Sequence, residues 1–356
     1  MTAYSAEVAV SAGSNSDEAL IGGRRVQVDG LRALAMFGVL YVHYTDASPL
    51  TEDLRVSLFF VVSGYLITFI LWTAKQRGGQ INVLNFYARR ALRLLPALWA
   101  MILVAAALNI DGARHEAIWH MFQLSNVRFA MNGDMAPWVF AQLWSLNVLE
   151  QFYILWPLVI LFLPLRWIYV VTFAIIFSMH VLHEHQDEIG LTDDWDYLVL
   201  SWDPIAFGVL AFLLQQIETA SEMLTSSGAK ILALIAIASP YFLWDGFGDS
   251  TTYRLLSCMG LAVIVLGAFK GYGGVLGWLL GCGVARFISK ISYGVYIYHM
   301  LAWAIMMHWF PSLETADFKT FLAMSAVTMS IATLSWYAME QPINRLKAYF
   351  PTTSRL

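Results

Sequence analysis

Charge is what this chain has least of. Asp, Glu, Lys and Arg make up 13% of its 356 residues, where an ordinary soluble domain carries about 25%. So few charges cannot coat a water-facing globule of this size, and 59% of the residues are apolar. The excess apolar surface needs lipid as a second solvent. This excludes a soluble α/β enzyme and a disordered regulator. Cysteine is almost missing. Cys258 and Cys282 sit in apolar or Gly-rich sequence, which excludes a disulfide-stapled secreted domain. There is no basic excess either. Net charge is −4, so no bulk field points to nucleic acid, and none is expected as a partner. No Asn-X-Ser/Thr sequon marks a glycosylated side. Residues 1–23 lack an apolar run behind a basic start, so they do not read as a signal peptide. They read as a disordered N-terminal tail, with the fold beginning near Arg24.

What the chain does have is long apolar runs. Runs of roughly 17–22 residues recur, each able to cross about 30 Å of hydrocarbon as a helix. They place spans at 30–48, 55–74, 90–109, 145–163, 167–183, 197–214, 229–245, 252–269, 291–310 and 318–339. The runs do not alternate as barrel strands would, so helices must satisfy the backbone. The expected fold is an all-α polytopic membrane protein, a bundle of about ten transmembrane helices. The Gly-rich stretch 271–283 reads as a span, a re-entrant piece or an interfacial one. With the N-terminus in the cytoplasm, sixteen of the 21 Lys and Arg fall inside, as the positive-inside bias requires. Arg55, Arg114, Arg128, Arg254 and Lys319 fall outside. An even span count puts both termini in the cytoplasm. There is no internal repeat, linker or second domain.

An ionisable residue within a span costs at least about 2.5–3.5 kcal/mol at mid-helix and marks function by default. Three groups stand out. In the first span, Arg32 and His43 lie 11 residues apart, about 16 Å along one helix face. A neutral imidazole there can take a proton from a hydroxyl; a packing histidine is the plainer alternative. Arg89, Arg90 and Arg93 stack at helical spacing just before Leu94-Leu95-Pro96. Three guanidiniums at an inner helix end suit phosphate, although simple inner-face anchoring explains isolated basic residues. Glu150 opens a span from outside, and on residue type alone reads as a solvated N-terminal acid rather than a pocket carboxylate. His180, His183, His185 and Asp187 have metal-like spacing but no downstream ligand motif, so no metal is expected. His299 closes the aromatic run from Ser292 to Tyr298.

Taken in order, these segments resemble acyltransferase family 3. The pieces are VDGLRALA (28–35) with His43, SLFFVVSGYLIT (57–68), NFYARRALRLLPAL (85–98), LWSLNVLEQFYILWP (143–157), ISKISYGVYIYH (288–299) and MEQPINRL (339–346). They define an expected acyltransferase-like transmembrane domain over 24–346 and a short tail over 347–356. The resemblance implies a multi-pass protein of the bacterial inner membrane. It implies transfer of an acyl group, most often acetyl from acetyl-CoA, to a hydroxyl of a carbohydrate or glycolipid. It gives His43 the role of base and Arg32 that of its partner. Arg90 and Arg93, with Arg89 adjoining, would hold the acyl-CoA. Ser63 with Gly64, Glu150 and His299 fall to the substrate pocket, and Glu340 to the terminal Glu-x-Pro motif. Membrane lipids, the acyl donor and the acceptor are the implied partners, and a homo-oligomer is compatible with all of this.

The sequence departs from the family pattern in two places. The Glu expected four residues after the Ser of the WSL motif is Leu149, with Glu150 beside it. The Gly that often opens the second-span motif is Arg55. Some relatives carry a soluble esterase-like domain after the spans, and none is expected here. The alternative function is a transporter of a glycolipid or anionic metabolite, with the arginines as a gate. Paired broken helices in two halves would mark it, and the sequence shows no such pairing.

Overall fold

The structure, a computed structural model, describes residues 26–45, 50–76, 80–186, 188–190, 195, 201–239, 251–310, 318–351 and 353–354. The expected tail over 1–23, together with Arg24, Arg25 and Asp187, lies outside the described residues. The described chain is helical apart from one antiparallel pair, β1 (Gln80–Ile81) with β2 (Thr353–Ser354).

Every apolar run meets a helix. These are α1 (Val26–Tyr44), α2 (Leu50–Gln76) and α3 (Val83–Leu108), then α4 (Ala113–Met121) and α5 (Ser125–Asn132) in the connection that follows. They continue with α6 (Leu143–Phe162), α7 (Leu165–Glu184), α8 (Asp203–Gln215), α9 (Glu218–Thr225), α10 (Ser227–Ala238) and α11 (Thr251–Lys270). The last are α12 (Gly274–Gly281), α13 (Gly283–Trp309) and α14 (Phe318–Ser335). Six described helical stretches are long and apolar enough to cross a membrane, and up to eight if each bent pair is one span. The sequence expectation was about ten. Of the ten expected spans, 30–48 and 229–245 are missing from this set, and 197–214 and 291–310 fall in the bent pairs. α1 is diluted by Gln27, Asp29, Arg32 and His43. α10 covers 12 residues, and the rest of its expected span, 240–245, lies outside the described residues. The Gly-rich stretch forms the short α12, bent by 45° from α13. The chain is thus a multi-pass membrane protein.

Local sequence explains the breaks. Asn82 caps α3 by accepting from the Asn85 amide, 3.0 Å, which satisfies an orphan helix donor. Ser226 does the same for α10 through the Ala229 amide. α8 and α9 turn through 118° at Gln216–Ile217. At the C-terminal end of α6, the Lys75 ammonium donates to the carbonyls of Ile160 and Leu163, 2.6 and 2.8 Å. A cation there satisfies the last carbonyls of a helix and suits its dipole.

α2 is the most buried of the six apolar stretches and α7 the least. Small residues let α2 and α8 touch backbone to backbone. A Cβ at Gly64 would lie 2.0 Å from the Ile205 carbonyl oxygen, and one at Gly208 2.0 Å from that of Val61. α1 packs against α2, α12 and α13, so its two ends reach different parts of the bundle. After α14 comes one wide π turn, Trp336–Glu340, and then the helix Gln341–Arg345. Pro342 has no N–H to give, which favours a local change of hydrogen-bond register. The expected 347–356 tail includes β2, which pairs with β1 beside the α2–α3 turn.

Candidate active site

One half of the site surrounds a cleft of about 240 Å³. Its polar lining is Asp29 and Arg32 of α1, Arg90 of α3 and Tyr153 of α6; Leu66, Ile67 and Ile70 of α2 form an apolar wall. Arg32 Nη1 lies 3.9 Å from Asp29 Oδ1, one turn back on the same helix.

Arg90 is held on two sides by α6. Its Nε and Nη2 donate to Glu150 Oε2 and Oε1 at 3.0 and 2.6 Å, the fork geometry that favours Arg with carboxylate. Its guanidinium carbon lies 3.2 Å from the Tyr153 ring centroid. This corrects the reading of Glu150 as a solvated acid. α6 begins at Leu143, so Glu150 is two turns in and buried. The same reasoning moves the arginines. α3 begins at Val83, so Arg90 and Arg93 lie in its second and third turns rather than at its end.

The arginine cluster divides. Arg93 lies 5.0 Å over the Trp336 ring and within Coulombic reach of Arg32, Arg90 and Glu340. Arg89, a turn angle of about 100° from Arg90, points elsewhere. Its Nη1 donates to the carbonyls of Lys347 and Phe350, 2.9 and 3.3 Å. The structure therefore gathers Arg32, Arg90 and Arg93, while Arg89 holds the C-terminal segment.

The other half is built around two imidazoles. His43, in the last turn of α1, faces His299 of α13 with ring centroids 4.8 Å apart. His299 Nδ1 is 2.6 Å from the Tyr296 carbonyl. A carbonyl only accepts, so Nδ1 carries the proton and Nε2 presents its lone pair. That Nε2 is buried and has no hydrogen-bond partner among the described residues. Tyr44 donates to the His299 carbonyl at 2.9 Å and meets Thr328 Oγ1 at 2.6 Å. One turn earlier on α13, the Tyr296 hydroxyl donates to the Gln142 carbonyl, 2.6 Å, and meets Ser145 Oγ at 2.5 Å. The WSL motif thus braces the helix that carries His299.

The cleft's lining includes Arg32 but not His43. The same face of α1 carries Met36 and Val39 between them, both buried. Ser63 is buried on α2 and does not line the cleft; Gly64 beside it serves the α2–α8 contact. Glu340 is buried on the wide turn, accepting from Ser335 at 2.9 Å. The three histidines of the metal-like motif do not converge. His183 lies 3.6 Å from Asp203, which Arg254 grips with two 2.7 Å hydrogen bonds, and His185 lies 3.2 Å from Glu188. No cluster of three His, Cys, Asp or Glu suited to a metal ion occurs among the described residues.

Two site residues escaped the sequence reading. Tyr153 needed the helical spacing from Glu150 to be read as one face. Arg55 was sorted with the outer-loop cations, yet it is buried at 5% exposure, with Nη2 3.2 Å from His43 Nε2. An arginine at the head of an apolar run was the available signal.

Outside the bundle core, α4 and α5 form a polar cap. Arg128 grips Glu116 with hydrogen bonds of 2.7 and 2.8 Å, which hold the Glu116 carboxyl below its usual range. His120 is fully buried against Ser125, 2.8 Å, and burial pushes it down to about 4.

A multi-pass helical bundle with an arginine-lined cleft and a buried histidine pair defines the class of protein. Residues 25–340 match the family model described as an acyltransferase domain, and the chain belongs to that family, the acyltransferase family 3 of the sequence motifs. It is similar to the peptidoglycan O-acetyltransferase OatA of Listeria monocytogenes, 28% identical over 89% of this chain and 55% of that protein. It is also similar to the O-acetyltransferase OatA of Staphylococcus aureus strain NCTC 8325, 26% identical over 89% of this chain and 57% of that protein. The chain spans little more than half the length of these curated relatives. No solved structure matches it.

Proposed function

We propose that this chain is an O-acyltransferase, specifically an O-acetyltransferase, that moves an acyl group from acyl-CoA to a carbohydrate hydroxyl. The observation that carries this reading is the pairing of His43 with His299 at the far end of the helix that also supplies Arg32. Arg32, Arg90 and Arg93 bind the anionic end of the donor: Arg32 and Arg90 line the cleft and Arg93 stands within Coulombic reach of both, an array of guanidinium forks that suits phosphate, with Asp29, Glu150 and Glu340 balancing it while the donor is absent. The apolar α2 wall suits the uncharged arm of the donor. His43 lies about 16 Å along α1 from Arg32, a gap that the extended arm bridges once Met36 and Val39 yield. At His43 a neutral imidazole accepts the proton of the acceptor hydroxyl. A site closed by apolar side chains also keeps water from the thioester. A carbohydrate acceptor is supported by the peptidoglycan O-acetyltransferase activity of the Listeria relative, and a bacterial membrane setting by the organisms of both relatives. The test is transfer of labelled acetyl from acetyl-CoA to glycan in membranes carrying wild type or His43→Ala. Loss of transfer in the variant is expected; transfer at the wild-type rate overturns the assignment.

A further inference from the structure

The contact between Arg55 and His43 extends the proposed mechanism, and the inference rests on that reading. Arg55 opens the apolar part of α2 with its side chain packed over Gly38 of α1, where its Cβ and Cδ would lie 3.5 and 3.9 Å from a Cβ. Its Nη2 is 3.2 Å from His43 Nε2. A guanidinium has donors and no acceptor, so His43 must offer Nε2 as a lone pair and keep its proton on Nδ1. The groups facing His43 from the neighbouring helices are Arg55 of α2 and His299 of α13. His299 is held through Nδ1 by the Tyr296 carbonyl, so Arg55 is the fixed positive charge at the site.

We propose that Arg55 is a further catalytic residue, holding His43 in the Nδ1–H form at rest and donating to the acyl oxygen during transfer. When the acceptor hydroxyl enters, it takes the place of Arg55 at Nε2. The hydroxyl proton passes to Nε2 as its oxygen bonds to the thioester carbon. The carbonyl electron pair moves onto the acyl oxygen, where the displaced guanidinium donates. That pair then returns, the C–S bond breaks, and the sulfur takes the proton from His43. Ester and free thiol result, with Arg55 back on a neutral imidazole. Two cations cannot share this small buried space at low cost. Protonation of His43 therefore drives Arg55 toward the oxyanion at the moment the charge develops there.

The experiment compares Arg55→Met, Arg55→Lys and His43→Ala, reconstituted in vesicles and assayed with acetyl-CoA and a glycan acceptor. Arg55→Met is expected to lower kcat about 100-fold, the cost of one oxyanion donor, with the KM for acetyl-CoA within threefold of wild type. Arg55→Lys is expected to recover part of that loss, and added guanidinium ion to restore part of it to Arg55→Met. Arg55→Met with kcat within threefold of wild type overturns the proposal, while inactive His43→Ala leaves the base assignment standing. Should Arg55→Met fail to fold, Arg55→Gln, uncharged and of similar reach, takes its place under the same criterion. Nitrogen NMR of labelled His43 reads the tautomer without turnover. A dominant Nε2–H form in the wild-type protein overturns the proposal even where no transfer is measured.

Discussion

Arg90 and Glu150 meet through two hydrogen bonds, 3.0 and 2.6 Å long, each about two turns into one of two antiparallel helices. The pair fixes α3 against α6 and neutralises one arginine of the cleft. Removing one partner of a buried pair costs about 3–5 kcal/mol. The Arg90 side chain is still 25% exposed, which reduces that figure. Glu150→Ala is expected to destabilise the protein by about 2 kcal/mol and to lower its melting midpoint in detergent. Arg90→Met with Glu150→Met together should cost less than the sum of the single changes. Additive losses would show that the two side chains do not support each other.

The arginines should separate by function. Arg93 makes no ion pair or hydrogen bond among the described residues, whereas Arg89 is committed to the C-terminal segment. Arg93→Ala is expected to weaken acetyl-CoA binding about tenfold or more, as loss of a charge-assisted contact does, with a shallower salt dependence. Arg89→Ala should leave that affinity within about twofold and expose residues 346–351 to protease. Calorimetric titration with acetyl-CoA and limited proteolysis check the two halves. Equal losses of affinity would return Arg89 to the donor site.

His299 should matter less than His43. Its Nδ1 is spent on a carbonyl and its backbone carbonyl accepts from Tyr44. His299→Gln is expected to lower the acetyl-transfer rate about tenfold, and His43→Ala at least 100-fold, in line with general-base contributions. Radiolabelled acetyl transfer ranks the two, and the reverse order would make His299 the base.

Gly64 and Gly208 cannot take a side chain. A Cβ at either would lie 2.0 Å from a backbone oxygen of the opposite helix, and backbone cannot rotate away. Gly64→Ala and Gly208→Ala should each force α2 and α8 apart. Loss of monodisperse protein on size exclusion after detergent extraction is the expected result. Wild-type yield and melting behaviour from either variant would mean that the two backbones lie further apart.

The polar cap of α4 and α5 should loosen in acid. Folded His120 takes a proton only near 4, while an unfolded histidine takes one near 6.5. Between those values the unfolded segment binds more protons, so stability falls as pH drops. The contribution is complete above about pH 6.5. Glu116, held low by Arg128, adds a loss of the same sign at lower pH. Fluorescence of Trp119 and Trp138, or proteolysis of residues 110–142, should report loosening from pH 6.5 downward. His120→Gln should flatten the upper part of that profile. A wild-type profile flat from pH 7 to 4.5 would contradict the burial argument.

The sequence by itself determined the solvent, the element type and the family. Scarce charge and long apolar runs demand lipid, and lipid demands helices, because a backbone there must bond within its own segment. The spacing of Arg32 and His43 also put both on one face before any packing was known. Where α3 and α6 begin was not legible, so Arg90 and Arg93 were placed at a helix end and Glu150 was read as a solvated first-turn acid. Local sequence signals a cap well, as at Asn82, and sets helix length poorly, because depth depends on the helices packed alongside.

Only the tertiary structure decided partners. Glu150 reaches Arg90, His43 reaches His299, and Arg55 reaches His43 across helices 60, 256 and 12 residues apart in the chain. No periodic pattern encodes such pairings. Each follows from which helix faces meet, and such meetings depend on the packing of whole helices, as where Gly64 and Gly208 let the backbones of α2 and α8 close to contact.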